Sequence, residues 1–251
     1  MSTPIRAVFF DLGGTLFSYR EIPRLSVPLL REAARRLGVD DALPRVGAAY
    51  AGAARAANGT YLERDYYLHR DLFLDTYRLF ADQLGSRASD DFCEWLYDAQ
   101  REIMITQVAL RADCLDTLKT LRDRGLYVSI VSNIDDDYLH PMVDNYGLSP
   151  LLDHWSSSEE AGSCKPHRGI FDLALQKAGC RPGEVAFVGD SLHHDVGGAR
   201  TMGMRAVLID EGQGRGLLDK AGDGTEAAPD HVIRELRDLL AWLGDGAPGA
   251  D

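Results

Sequence analysis

The sequence predicts an α/β protein with a parallel sheet and a helical block inserted after the first strand. Three observations carry this. Short, mostly apolar runs recur at Ala7–Phe10, Tyr127–Val131 and Val185–Val188, and each is followed by small or acidic polar residues. Beyond about residue 108, such runs alternate with helix-length amphipathic segments, the pattern of a parallel sheet covered on both faces. Between the first run and that alternating region, residues 17–107 read as helical throughout.

The elements follow in order. Residues 5–16 are a strand and a glycine-rich turn. Leu29, Leu30, Ala33, Ala34 and Leu37 repeat at helical spacing, with Gly38 as a stop signal. Tyr61 to Leu84 repeats that period with Tyr66, Tyr67, Phe73, Tyr77 and Phe80, a set that reads as the core of the helical block. A third helix runs from Asp90 to Gln100, with Ser89 or Asp90 as N-cap. A helix over 112–124 leads to the strand at 126–131. One near 136–146 leads to a short strand around 153–156, and one over 168–178 to the strand at 185–189. A helix at 195–202 leads to Arg205–Ile209. Residues 211–230, rich in Gly and Asp, read as a mobile loop, Val232–Leu243 as a final amphipathic helix, and 244–251 as a frayed tail.

Composition narrows the function. The chain has 251 residues, 45% hydrophobic and 26% charged, ordinary for a soluble globular protein. A net charge of -12 argues against nucleic acid as a partner, because phosphates would be repelled. Cysteines at 93, 114, 164 and 180 form no CxxC pair, so they read as free thiols of a reducing compartment. The start, Met1–Arg6, lacks a signal peptide, and no run reaches membrane-spanning length. The expected location is the cytoplasm, with no membrane partner.

The chemistry concentrates at the strand ends. Asp11 closes the first run and is followed by Leu12-Gly13-Gly14-Thr15-Leu16. A carboxylate at the C-terminal edge of a buried strand can attack an electrophile or hold a metal. Ser132-Asn133 ends the second run, Lys165 follows in Ser163-Cys164-Lys165-Pro166, and Gly189-Asp190-Ser191 ends the third, with Asp195 four residues after Ser191. Taken in this order, the four motifs resemble those of the haloacid dehalogenase superfamily of hydrolases. The resemblance spans Asp11 to Asp195 and implies a Rossmann-like core, residues 1–16 and 108–251, with a helical cap at 17–107.

By that resemblance, Asp11 is the nucleophile that accepts a phosphoryl group as an aspartyl phosphate, and the substrate is a small phosphorylated molecule. Ser132 donates a hydrogen bond to a phosphoryl oxygen, with Asn133 in support, and Lys165 supplies positive charge. Gly14 and Thr15 complete the phosphate-binding turn. Mg²⁺ is the expected cofactor, held by Asp11, Asp190 and Asp195 and by the backbone carbonyl of Gly13.

One position departs from the pattern. Phosphatases of the superfamily carry a second acid where this chain has Gly13, and that acid protonates the leaving group and then activates water. Glycine does neither, and general acid–base catalysis contributes ~10²–10⁴-fold. It can, however, supply φ > 0 at the turn.

Four readings are open. The acid can be relocated, to His167, His193 or His194, or to Tyr19, Asp65 or His69. The substrate can have a good leaving group. The reaction can be dehalogenation or phosphonate cleavage, which also lack the second acid. Finally, the protein can bind a phosphorylated ligand or a protein partner without efficient turnover. Phosphonate cleavage needs a cap lysine, and no lysine precedes Lys119. The dehalogenase pattern of the superfamily carries an aromatic residue where this chain has Gly13 and does without Mg²⁺, and the retained Asp190 and Asp195 weigh against it. Cap arginines at 55, 64 and 70 are candidates to meet an anionic substrate.

Overall fold

The computed structural model describes residues 3–40, 42–62, 64–210 and 228–244. The chain opens with β1 (Ala7–Phe10), four buried residues, and continues into four helices: α1 (Ile22–Arg36), α2 (Leu43–Tyr61), α3 (His69–Gln83) and α4 (Asp90–Thr106). Helix α5 (Cys114–Asp123) then leads to β2 (Tyr127–Ser132), and α6 (Asp136–Asn145) to β3 (His154–Ser157). A single helical turn, α7 (Ser158–Ala161), precedes α8 (Arg168–Ala178), β4 (Val185–Gly189), α9 (Gly198–Met202) and β5 (Arg205–Ile209). The last described elements are β6 (His231–Ile233) and α10 (Asp238–Leu243).

The six strands form one parallel sheet in the order β3-β2-β1-β4-β5-β6. Alternation along each strand feeds two cores. Val8 and Phe10, with Val128 and Ile130, pack under α5 and α6 through Leu118, Leu121 and Leu139. Ala7 and Phe9, with Val185 and Phe187, pack against Ile170 and Phe171 of α8. Sequence order runs outward from β1 to β2 and β3, then returns to place β4 on the other side of β1. Ligands of open α/β sheets bind at such a reversal, beyond the carboxyl ends of the strands. Asp11 emerges there, its amide donating to the carbonyl of Val188 at 2.9 Å.

Helices α1 to α4 build a third cluster around Ala33, Ala53, Tyr77, Phe80, Leu96 and Tyr97, which Tyr138 of α6 joins. Of the aromatic set read as core, Tyr77 and Phe80 are wholly enclosed, whereas Tyr66 is exposed. Ser89 is the N-cap of α4, its hydroxyl accepting from the amide of Phe92.

Three expected boundaries move. The period over Tyr61–Leu84 is not one helix: α2 ends at Tyr61 and α3 begins at His69. A distant side chain sets that start, because the Asp135 carboxylate accepts the amides of His69 (2.8 Å) and Arg70 (2.7 Å) and so caps α3 from outside it. The expected helix Val232–Leu243 is a strand followed by a short helix, because His231–Ile233 pairs with β5. The expected helix at 195–202 starts earlier, as a π-helical turn over Leu192–Gly197 that runs into α9. Residues 211–227 of the expected loop, and 245–251 of the expected tail, lie outside the described residues. Among the described residues, no helix is long and apolar enough to cross a membrane.

Candidate active site

Every side chain that the motifs single out leaves the same edge of the sheet. Asp11 follows β1, Ser132 closes β2, and Asp190 follows β4. Lys165 enters from the segment before α8 and Asp195 from the π-helical turn. Lys165 is the centre of the arrangement. Its ammonium donates to Asp11 Oδ1 at 2.7 Å and to Asp195 Oδ1 at 2.6 Å, and it stands 5.3 Å from the centre of the Phe187 ring. It is 3% exposed, and its two partners are 7% and 2% exposed. Burial alone would lower the Lys165 pKa, but the two carboxylates outweigh it and hold the amine above its ordinary value. Burial pushes the Asp11 carboxyl above its usual range; Lys165 opposes that rise and Asp195 adds to it.

Ser132 Oγ donates to Asp11 Oδ1 at 3.1 Å, and Thr15 Oγ1 lies 3.5 Å from Asp11 Oδ2. Asn133 does a different job from Ser132. Its amide grips both backbone groups of Lys165, accepting from the Lys165 N–H at 2.6 Å and donating to the Lys165 carbonyl at 2.9 Å. It thereby fixes the lysine in the site.

Glycines make the convergence possible. A Cβ built on Gly189 would lie 2.2 Å from Asp195 Cγ, and one on Gly14 would lie 2.1 Å from Asp190 Oδ2. Both absent side chains are thus replaced by carboxylates. Gly14 also takes φ of 78°, the left-handed region that favours glycine. Gly13 does not, so the expected φ > 0 at residue 13 is not found; the left-handed glycine of the turn is Gly14. What restricts Gly13 is Tyr19: a Cβ there would lie 2.3 Å from Tyr19 Oη.

Asp11, Asp190 and Asp195 each offer an oxygen, all within 4.8 Å of one another. With one ammonium among three carboxylates, the cluster keeps two negative charges. Its hard, anionic oxygen donors suit Mg²⁺, which binds through one or two carboxylates and keeps waters or substrate oxygens.

The candidate replacement acids separate. His167 pairs with Asp65 (3.4 Å). The His194 ring nitrogen is 3.3 Å from Ser191 Oγ, and His193 packs on His194. His69 is buried beside Tyr67 and Asp135. Tyr19 is the one of these that lies nearest to residue 13. Loss of solvation, then the charges of Asp190, Asp11 and Asp195, hold its phenol well above its ordinary pKa. Of the arginines on the inserted helices, Arg70 pairs with Glu94, and Arg64 stands over the Tyr61 ring.

Two contributors carry no sequence signal. Arg111 donates to the carbonyls of Gly14 and Thr15, the latter at 2.6 Å, and so holds the glycine turn from below. Asp135 joins the α3 amides to the segment after β2. Each acts on backbone groups far away in sequence, and a linear motif does not show such contacts.

Comparison with known proteins gives the family and the fold. A sequence profile described as haloacid dehalogenase-like hydrolase matches residues 5–203. The chain is 28% identical over 238 residues to a ribulose-1,5-bisphosphate 5-phosphatase of Halopiger xanaduensis, covering 93% of this chain and 97% of that one. It is 27% identical over 169 residues to an (S)-2-haloacid dehalogenase of Pseudomonas fluorescens, 67% of this chain and 69% of that one. The crystal structure of a HAD phosphatase from Thermococcus onnurineus superposes with a TM-score of 0.70 at 25% identity, covering 97% of this chain and 100% of that one.

Proposed function

The chain belongs to the haloacid dehalogenase-like hydrolases, and from that premise we propose that it is a Mg²⁺-dependent phosphohydrolase of small phosphate esters. The observation that carries the reading is the buried Lys165 bridge between Asp11 and Asp195, with Asp190 beside them. Two carboxylates around one cation would suffice for a nucleophile and its counter-ion. A third makes a site for a further cation and for a dianionic substrate.

In this reading Asp11 attacks phosphorus. The bond from phosphorus to the leaving oxygen breaks as the Asp11–phosphorus bond forms, giving an aspartyl phosphate. Water then attacks phosphorus and releases the Asp11 carboxylate. Ser132 and Lys165 already donate to Asp11 Oδ1, so their hydrogens are placed to follow the transferred oxygens. Asn133, gripping the backbone of Lys165, keeps that donor in place. Asp11, Asp190 and Asp195, with the Gly13 carbonyl, would hold Mg²⁺, which supplies charge neutralisation for the approach of a phosphate dianion to a carboxylate. Gly14 and Thr15 line the phosphate side of the turn. Helices α1 to α4 act as the cap that selects the substrate, and we divide the chain accordingly into a core of 1–16 and 108–251 and a cap of 17–107.

We place the protein in the cytoplasm, where its four unpaired cysteines, three of them buried, stay reduced. The relatives include a dehalogenase as well as phosphatases, but Asp190 gives this site the third carboxylate that halide displacement does not need.

The test is a panel of aryl and alkyl phosphate monoesters with a 2-haloacid, each assayed with Mg²⁺ and with excess chelator. Ester hydrolysis that disappears with the metal is the expected result. Halide release that persists in chelator would replace this reading with dehalogenation.

A further inference from the structure

Gly13 and Tyr19 fit each other, and the fit has a chemical consequence. A side chain at position 13 would begin 2.3 Å from Tyr19 Oη and 3.0 Å from Tyr19 Cζ. The phenol end therefore fills the space that a residue-13 side chain would occupy. The ring carbon next to the phenol end borders the next residue: a Cβ on Gly14 would lie 2.8 Å from Tyr19 Cε2, beside the 2.1 Å approach of Asp190 Oδ2. Tyr19 is thus wedged along both glycines of the turn that follows Asp11.

The wedge is built. Phe17, a buried core residue, meets the Tyr19 ring edge-on, with centroids 5.8 Å apart and planes at 90°. Phe17 is itself tied down, since it bridges Gly13 on one side and Leu110 on the other. The Ser18 hydroxyl accepts the Arg20 amide and caps the helical turn that carries Tyr19. Tyr19 nonetheless keeps 42% of its surface exposed.

We propose that the Tyr19 hydroxyl stands in for the missing side chain at position 13 and donates a hydrogen bond to the leaving oxygen of a phosphate ester. This rests on the phosphohydrolase reading and names the donor that reading lacks. As the phosphorus–oxygen bond breaks and the Asp11–phosphorus bond forms, the leaving oxygen gains negative charge. A neutral phenol is a donor at neutral pH, and it is placed beside that oxygen before the charge develops. The phenol keeps its proton, and the departing alkoxide takes a proton from water. A donor matters most where the leaving group is a poor one, so Tyr19 widens the range of substrates from aryl to alkyl esters. It also explains residue 13: with Tyr19 in place, only glycine fits there without displacing the phenol.

The experiment is kcat/KM for a series of phosphate monoesters, from aryl to alkyl leaving groups, in the wild type and in Tyr19→Phe, with Mg²⁺ present. The phenylalanine keeps the wedge and removes only the oxygen. The expected result is that alkyl esters lose at least about tenfold more than aryl esters, a part of the roughly 10²–10³-fold that one preorganised donor contributes. Tyr19→Ala, read by the same ratio, covers the case in which Tyr19→Phe is poorly folded. An alkyl-to-aryl ratio unchanged in both variants overturns the role of Tyr19 and leaves the phosphohydrolase reading standing. A wild type that hydrolyses no ester in the series overturns both.

Discussion

Replacing Lys165 with methionine tests how the three carboxylates are held together. The side chains are close in size, so the change removes a charge more than a shape. Its ammonium donates at 2.7 Å to Asp11 and 2.6 Å to Asp195, and all three groups are nearly excluded from solvent. Removing one partner of a buried ion pair costs about 3–5 kcal/mol, because the remaining charge is left uncompensated. Here two carboxylates remain, facing each other across the vacated position, so we expect about 3–5 kcal/mol at pH 7. The assay is urea denaturation in chelator, so that no added cation replaces the ammonium. The pH dependence has a definite sign. Burial already raises the Asp11 pKa in the folded state, and loss of Lys165 raises it further. A group whose folded pKa lies above its unfolded value, ~3.9 for Asp, stabilises the fold below that unfolded value and loses the contribution as pH rises through the folded one. The deficit of the variant is therefore smallest near pH 4 and grows toward pH 7. A deficit below about 1 kcal/mol at pH 7, or one that grows on acidification, would refute this account of the site.

Other expectations follow from the same coordinates. Asp190→Ala should weaken Mg²⁺ binding, read by calorimetry, by at least about tenfold or about 1.4 kcal/mol; equal affinities would remove Asp190 from the metal site. Asp135→Ala should destabilise the fold by about 1–3 kcal/mol, because two amides at the start of α3 lose a buried acceptor. Burial raises the Asp135 carboxyl, but hydrogen bonds from His69 and Arg70 outweigh it and hold the group below its ordinary value. Its contribution is present above the unfolded pKa and is lost as pH falls through the folded one, so wild type and variant should converge in acid-denaturation curves. Gly13→Asp alone should not speed alkyl-ester hydrolysis, since its Cβ meets Tyr19 Oη. Gly13→Asp in a Tyr19→Ala background should exceed Tyr19→Ala itself by about 10²-fold on alkyl esters, and kinetics of the three variants would show it.

The sheet, and the meeting of the candidate residues at one edge of it, are legible in the sequence because their signals are local. Buried strands are continuous apolar runs, and Asp11, Ser132 and Asp190 each end or directly follow such a run. The chain between them need only bring strand ends together, which a parallel sheet does by construction. What escaped depends on contacts between distant residues. The start of α3 is set by Asp135, 65 and 66 residues away from the amides it caps, so periodicity alone extended the helix back to Tyr61. Val232 looks helical in an amphipathic window, yet β5 offers an unpaired edge that β6 takes. Arg111 supports the glycine turn from 96 and 97 residues beyond its acceptors. Tyr19 was one of six candidate replacement acids in the sequence; only the space beside Gly13 separates it from the others.

In the proposed reaction Asp11 carries the transferred phosphoryl group. Rapid acid quench during turnover of an aryl phosphate, followed by peptide mass spectrometry, measures it directly. The expected result is the mass of one phosphoryl group on the peptide containing Asp11, absent in Asp11→Asn, which also lacks turnover. Hydrolysis that proceeds at the wild-type rate in Asp11→Asn, or a phosphoryl group found on any other residue, would contradict it.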